Sequence, residues 1–413
     1  MKNGKMKFVI IGITDNPETQ LPPEAEAEFP WARAFSGGAR HHEMVAHLLP
    51  KDCKWIDITV PLDRVFEQYR TIFADPHDIL PPTIIIFASG DPLFFGIANT
   101  IRRKMPEAEM KLYPAFNSLQ MLAHKLLMPY HDLHIVSLTG RPWPELDRAL
   151  IERKAKIGVL TDREHTPAAI ARRMTDYGYT YYNIYVGEHL GNPDKERIRK
   201  LTLTEAAQQD YDCPNCLILH SPSTPPPPLY GIPDQTFALL DGREKMITKM
   251  PIRLLDLQAL QLTQKHVLWD IGACTGSISI EARQLFPHLQ IEAFEIRPEC
   301  EGIIHENMRR HRTPGIQLHM GDFLAADCDA LAAPDAVFIG GHGGRLQEIM
   351  EKAVRYLSPD GCIVMNSVKA PRVLTDSQQL WDEACQQLGL REEPPLHIQL
   401  NDYHPITILK CKK

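Results

Sequence analysis

Four consecutive prolines, at 225–228 within SPSTPPPPLYGIPD (221–234), divide this chain before any other feature does. Proline fixes φ, lacks an amide hydrogen and pushes the preceding residue toward extended backbone, so the tract forms neither a helix nor a central strand. It reads as a semi-rigid spacer. At 413 residues the chain also exceeds one ordinary core. Cutting at the tract predicts a first domain over 1–220, a linker over 221–234 and a second domain over 235–413.

Upstream of the cut, apolar β-rich runs alternate with helix-compatible sequence: KFVIIGI (7–13), WIDITV (55–60), TIIIFA (83–88), LHIVSL (133–138), KIGVL (156–160), YYNIYV (181–186) and CLILH (216–220). This predicts parallel α/β layers, with the breakers at 113–117 separating two lobes. Downstream, strand candidates follow at HVLWD (266–270), QIEAFE (290–295), IQLHM (316–320), DAVFIG (335–340), CIVMNS (362–367), LHIQL (396–400) and ITILKC (406–411). ISIEARQLF (278–286) and RLQEIMEKAVRYL (345–357) carry apolar residues at helical spacing. NDYHP (401–405) is too short for a crossover, so the last two strands should form an antiparallel hairpin. The expected class is α/β, with the second half a doubly wound, Rossmann-like sheet whose ligand site lies at the carboxyl ends of its strands.

The apolar share of 44% and charged share of 23% are those of a soluble globular protein, with no run of the roughly 18 apolar residues a membrane span needs. No signal peptide is evident at the amino terminus, which predicts a cytoplasmic protein. Nine scattered cysteines suggest reduced thiols, and the lone CPNC (213–216) reads as a turn entering a strand, with no metal site expected. A net charge of −7 argues against a broad nucleic-acid footprint. The sequence is compatible with a homo-oligomer.

In LWDIGACTGSISIEA (268–282) a strand runs through a glycine-bounded loop into a helix. Gly272 and Gly276 permit close backbone approach, and Thr275 or Ser277 can cap the helix. Glu295, at the end of the next strand candidate, suits a ribose diol, and GDF (321–323) ends the strand after that. G-x-x-x-G is not the dinucleotide pattern, and points to S-adenosylmethionine. GGHGGR (340–345) follows the fourth strand candidate and leaves room for a bulky flat substrate. His342 there could accept a proton or hydrogen-bond a carboxylate.

GIPDQ (231–235), ITKMPIR (247–253), DIGACTGSISIEA, AFEIRPE (293–299), GDF and FIGGHGGRLQEIM (338–350) together resemble the decarboxylating precorrin methyltransferases that act at carbon 15 in corrin biosynthesis. The resemblance implies that Thr248, Asp270, Gly272, Ala273, Cys274, Thr275, Gly276, Glu295, Asp322 and Phe323 hold the cofactor. Cys274 departs from it, standing where the family commonly has glycine. Upstream, SGGARHHE (36–43), FASGDPLFFG (87–96), YPAFNSLQML (113–122), VSLTGR (136–141), VLTD (159–162) and YVGEHLG (185–191) resemble, in order, the tetrapyrrole methylase family, in particular its carbon-5 precorrin methylases. That implies a two-lobed fold holding a second S-adenosylmethionine at Gly90, Asp91, Phe94, Ser118 and Leu138, one cofactor per domain. The family's first strand usually ends in G-x-G-P-G, whereas IGITDNPETQL stands here.

The substrate so implied is an anionic tetrapyrrole, which calls for cations and hydrogen-bond donors. Arg40, His41, His42 and Arg141 could supply them in the first half, and His342, Arg345, Lys369 and Arg372 in the second. The expected reaction is methylation at carbons 5 and 15 with loss of the carbon-12 acetate as carbon dioxide. Two rivals stay open: an RNA methyltransferase, disfavoured by the charge and by GGHGG standing where an N/D-P-P-Y motif would be, and a tetrapyrrole- or S-adenosylmethionine-binding sensor with one inactive domain.

Overall fold

The computed structural model describes the chain apart from residues 1–5, 75–81, 224, 225, 227–229, 369–376 and 402–404. Lys369, Arg372 and most of the proline tract lie outside the described residues. Two compact units form: Met1–Arg141 with Ala155–Arg172 and Tyr181–Pro222, and Ser223–Lys413 with Pro142–Lys154 and Arg173–Thr180. The break after Pro222 falls inside the expected linker, but two upstream pieces join the second unit. There the Tyr179 hydroxyl donates to Arg312 O at 2.7 Å and Arg173 pairs with Asp147 at 2.7 Å. Contacts so remote in sequence leave no local pattern.

The first unit holds two five-stranded sheets. β1 (Lys7–Ile13), β2 (Ala32–Gly37), β3 (Trp55–Asp57), β4 (Thr83–Ser89) and β5 (Glu109–Tyr113) pair in the order β3-β2-β4-β1-β5, all parallel. The apolar runs of β1 and β4 occupy its centre, as buried parallel strands do. The second sheet runs β6-β7-β10-β8-β9, from β6 (His134–Ser137), β7 (Lys156–Leu160), β8 (Asn183–Glu188), β9 (Arg197–Thr202) and β10 (Asn215–His220). The two lobes divide at 114–117, as the breakers suggested.

The expectation of parallel layers throughout does not survive in the second lobe. Only β6 and β7 are parallel; β10 runs antiparallel to β7 and β8, and β8 antiparallel to β9. Connections decide this: β10 keeps the direction of β9 and lies between β7 and β8, and the 189–196 connection that joins β8 to β9 holds only turns. A parallel crossover needs about a dozen residues or more.

The second unit is built on β11 (Val267–Ile271), β12 (Gln290–Glu295), β13 (Ile316–Met320), β14 (Ala336–Ile339), β15 (Cys362–Val368), β16 (Arg391–Glu392), β17 (Leu396–Ile398) and β18 (Ile406–Lys412), ordered β13-β12-β11-β14-β15-β18-β16 with β17 beside β18. The first five are parallel, and β17 and β18 form the expected antiparallel pair. Strand alternation sends Leu268 to one core and Trp269 to the other, so both faces of the sheet are covered. Strand order reverses between β11 and β14, which opens a crevice at their carboxyl ends.

The GIPD end of the tract is no spacer. Gly231 and Ile232 donate their amides to the Glu281 carboxylate at 3.0 Å, and Asp234 accepts from Met250 N at 3.0 Å and Arg253 Nη1 at 2.8 Å. Arg253, on helix Met250–Leu260, and Glu281, on helix Ser277–Leu285, are fully buried and paired at 3.3 Å.

Candidate functional site

In the second unit the loops after β11, β12, β13 and β14 surround a cavity of about 1220 Å3, reached also by Thr248, Asn366 and Leu400. Asp270, Gly272, Ala273, Cys274, Thr275, Glu295, Asp322, Phe323, His342 and Arg345 all line it, so residues up to 75 positions apart in the sequence meet at one cavity. Gly276 stands behind this wall as the residue that opens helix Ser277–Leu285, at φ +73°.

The loop's shape explains its composition. Gly272 has φ +81°, and a Cβ on it would lie 3.0 Å from Gly341 N, so the loops after β11 and β14 touch backbone to backbone. Cys274 adopts φ +53°, a left-handed conformation that glycine takes without strain. Its amide donates to Glu295 Oε2 at 2.7 Å, and its thiol is buried and pushed upward by that burial. A neutral, buried thiol is a poor nucleophile.

Asp270 is buried at the end of β11, where desolvation raises it to about 6 despite the Ser279 hydroxyl 2.6 Å from Oδ2. Glu295 is buried too, but the Arg297 side chain and the amides of Arg297 and Cys274 overcome desolvation and hold it below the ordinary carboxylate range. Phe323 is packed by Trp269, Phe294 and Lys352, which floors the cavity with aromatic rings.

His342 Nδ1 accepts from Gly344 N at 3.2 Å, and Nε2 lies 3.3 Å from Ser377 Oγ. Burial lowers its pKa, so the ring is neutral with Nε2–H as the donor. Arg345 is not a free cation: Nη1 lies 2.9 Å from Asp322. Sequence reasoning missed Arg297, which pairs with Glu295 at 2.9 Å, and Asn366, a polar residue in the apolar run CIVMNSV that could have signalled a side chain facing the cavity.

In the first unit Gly90, with φ +61°, packs so close that a Cβ would lie 2.7 Å from Asn117 Cα. Asn117 caps helix Ser118–Lys125 through a capping box with Gln120, so the turn carrying Asp91 abuts the helix start carrying Ser118. Asp91 Oδ1 accepts from Leu93 N at 2.8 Å, Phe94 packs on the core that includes Leu119 and Cys216, and Leu138 is buried at the end of β6 with its amide on Leu160 O. Cys216 of the CPNC run is buried in β10, its thiol pushed up to about 12 by desolvation.

The altered loop after β1 supplies a carboxylate. Asp15, buried, pairs with Arg40 and lies 2.7 Å from His189 Nδ1. Arg40 and His41 also reach the Ser89 hydroxyl, at 2.8 and 2.9 Å. Burial, then the Arg40 charge, lowers His41 to about 4, so it is a neutral hydrogen-bonding group. His42 stacks on Trp55, and Arg141 binds Ser137 Oγ at 2.6 Å and sits over the Phe95 ring.

A model of the precorrin methyltransferase domain matches residues 241–396, and one of the tetrapyrrole (corrin/porphyrin) methylases matches 80–207. A Sinorhizobium protein named precorrin-6Y C(5,15)-methyltransferase (decarboxylating) is 30% identical over 364 residues, 87% of this chain and 84% of that one. The chain belongs to that family. A Salmonella typhimurium protein named cobalt-precorrin-6B C(15)-methyltransferase (decarboxylating) is 32% identical over 42% of this chain and 93% of its own. A crystal structure named precorrin-6y C5,15-methyltransferase from Geobacter metallireducens is 33% identical, covering 45% of this chain and 98% of that one at a TM-score of 0.39. Family membership makes the chain an S-adenosylmethionine-dependent methyltransferase. Among the described residues no helix is long and apolar enough to cross a membrane.

Proposed function

We propose that this chain methylates a precorrin-6 macrocycle at carbons 5 and 15 and removes the carbon-12 acetate as carbon dioxide, giving precorrin-8, as a cytoplasmic enzyme of corrin ring synthesis. Carbon-5 methylation is assigned to 1–220 and carbon-15 methylation with decarboxylation to 235–413, one S-adenosylmethionine serving each. The observation that carries the reading is the cavity at the strand-order reversal, whose volume of about 1220 Å3 exceeds what one small ligand fills.

The residues present fit S-adenosylmethionine. Glu295 and Asp270 offer carboxylates beside a loop whose φ-positive positions let backbone approach a ligand, and Phe323 offers a ring face. When bound, that cofactor supplies an electrophilic methyl carbon on a cationic sulfur. The chain's own work is orientation and exclusion of water. His342, with Nδ1 engaged by Gly344, presents Nε2–H and so serves to hold a carboxylate or carbonyl of the ring, with Ser377 as its resting partner. In the decarboxylation the bond to the carboxylate breaks, its electron pair enters the conjugated ring, and the exocyclic carbon gains a proton.

Methyl-labelled S-adenosylmethionine and purified precorrin-6, with and without cobalt, test the reading. Two labelled methyl groups and one carbon dioxide per ring are expected. A single methyl would mean one inactive module, and none would sink the proposal.

A further inference from the structure

Asn366 stands near the carboxyl end of β15, next to the strand whose following loop carries His342, and lines the cavity. Its Nδ2 donates to Asp256 Oδ2 at 2.8 Å. Asp256, on helix Met250–Leu260, has no exposed surface and does not itself line the cavity. Asp256 Oδ1 and Asn366 Oδ1 are both buried without a hydrogen-bond partner among the described residues. Native proteins rarely leave two neighbouring polar atoms orphaned unless something else satisfies them.

Burial holds the Asp256 carboxyl well above the usual range, and the pull of Asn366 and of Arg253 does not overcome it. Arg253, one turn earlier on the same helix, is itself answered by Glu281 and Asp234. A neutral acid contributes no field to the cavity; its use is to hold the amide that faces it.

We propose that Asn366 is a ligand-binding residue whose Oδ1 accepts from an N–H donor of a bound molecule, and that Asp256 is the positioning residue that fixes the amide in that orientation. The donor is the ammonium at the methionyl end of the cofactor or a pyrrolic N–H of the macrocycle. The inference rests on the functional reading above.

The test measures S-adenosylhomocysteine affinity by calorimetry and steady-state kinetics with the macrocycle, on the full chain, for Asn366→Ala, Asp256→Asn and Asp256→Ala, with thermal melts to establish folding. If the donor is the cofactor ammonium, Asn366→Ala weakens S-adenosylhomocysteine about tenfold; if it is a ring N–H, that affinity holds and KM for the macrocycle rises about tenfold. Asp256→Asn, neutral and of the same shape, should stay near wild type in the affected parameter, while Asp256→Ala moves it in the same direction as Asn366→Ala. A folded Asn366→Ala chain unchanged in both parameters overturns the inference alone, and decides the matter even if Asp256→Ala does not fold. Asp256→Asn as damaging as Asp256→Ala would overturn the positioning role. A wild-type chain that binds no S-adenosylhomocysteine would overturn the functional reading and this inference with it.

Discussion

The guanidinium of Arg345 lies 2.9 Å from the carboxylate of Asp322, so two residues lining the same cavity from loops after different strands neutralise each other at its mouth. A polyanionic ring must compete with Asp322 for that cation. Asp322→Asn should therefore lower KM for the macrocycle several-fold, and Arg345→Ala should raise it about tenfold with S-adenosylhomocysteine affinity unchanged. Steady-state kinetics and calorimetry read both arms; a KM indifferent to either change would remove Arg345 from the substrate site.

Cys274 holds a backbone conformation with φ +53° that costs an L side chain about 1 kcal/mol or slightly more. Glycine removes the strain but is more disordered when unfolded, so Cys274→Gly should gain about 0.5 kcal/mol, a rise in Tm of about 1–2 °C. A lowered Tm would show that thiol packing outweighs backbone strain.

Asp270 has a folded pKa of about 6, raised by burial above the unfolded carboxylate. The folded chain thus binds more protons than the unfolded one between roughly pH 4 and 6, and stability falls as pH rises through that window. An ammonium group of the ligand placed beside the carboxylate reverses the preference by favouring the anion. S-adenosylhomocysteine affinity should therefore rise as pH increases through about 6 in the wild type and flatten in Asp270→Asn. Calorimetry between about pH 5 and 8 decides it, and a flat wild-type profile would count against Asp270 as the group sensed.

Arg253 is fully buried between Glu281, Asp234 and the carbonyl oxygens of Ile232 and Thr248. Arg253→Ala leaves Glu281 buried without its guanidinium partner, and should destabilise the second unit by about 3–5 kcal/mol in urea titration. A loss below about 1 kcal/mol would mean water or a shifted partner replaces the guanidinium.

The second unit was the more legible part, because continuous apolar strands alternating with amphipathic helices leave one topology open. In the first unit β5 and β9 went unseen: EMKLY and RIRKLT are edge strands that carry Lys111, Arg197, Arg199 and Lys200, so their pattern is that of a polar loop. β2, ARAFSG, is interior yet too small-residue-rich to stand out. At the site, the loops and acids were readable from spacing. Partner choice was not: Arg297 on Glu295, Asp322 on Arg345, and Asp15 on Arg40 each depend on which loops fold side by side.

Gly272 and Gly341 meet with no room for a side chain on Gly272, and a Cβ on Gly340 would lie 2.7 Å from Gly272 O. The loop after β11 and the loop after β14 are therefore a single mechanical part. Any attempt to retune this enzyme for a differently decorated ring by grafting the His342 loop from a relative would have to transplant the 272–276 segment alongside it.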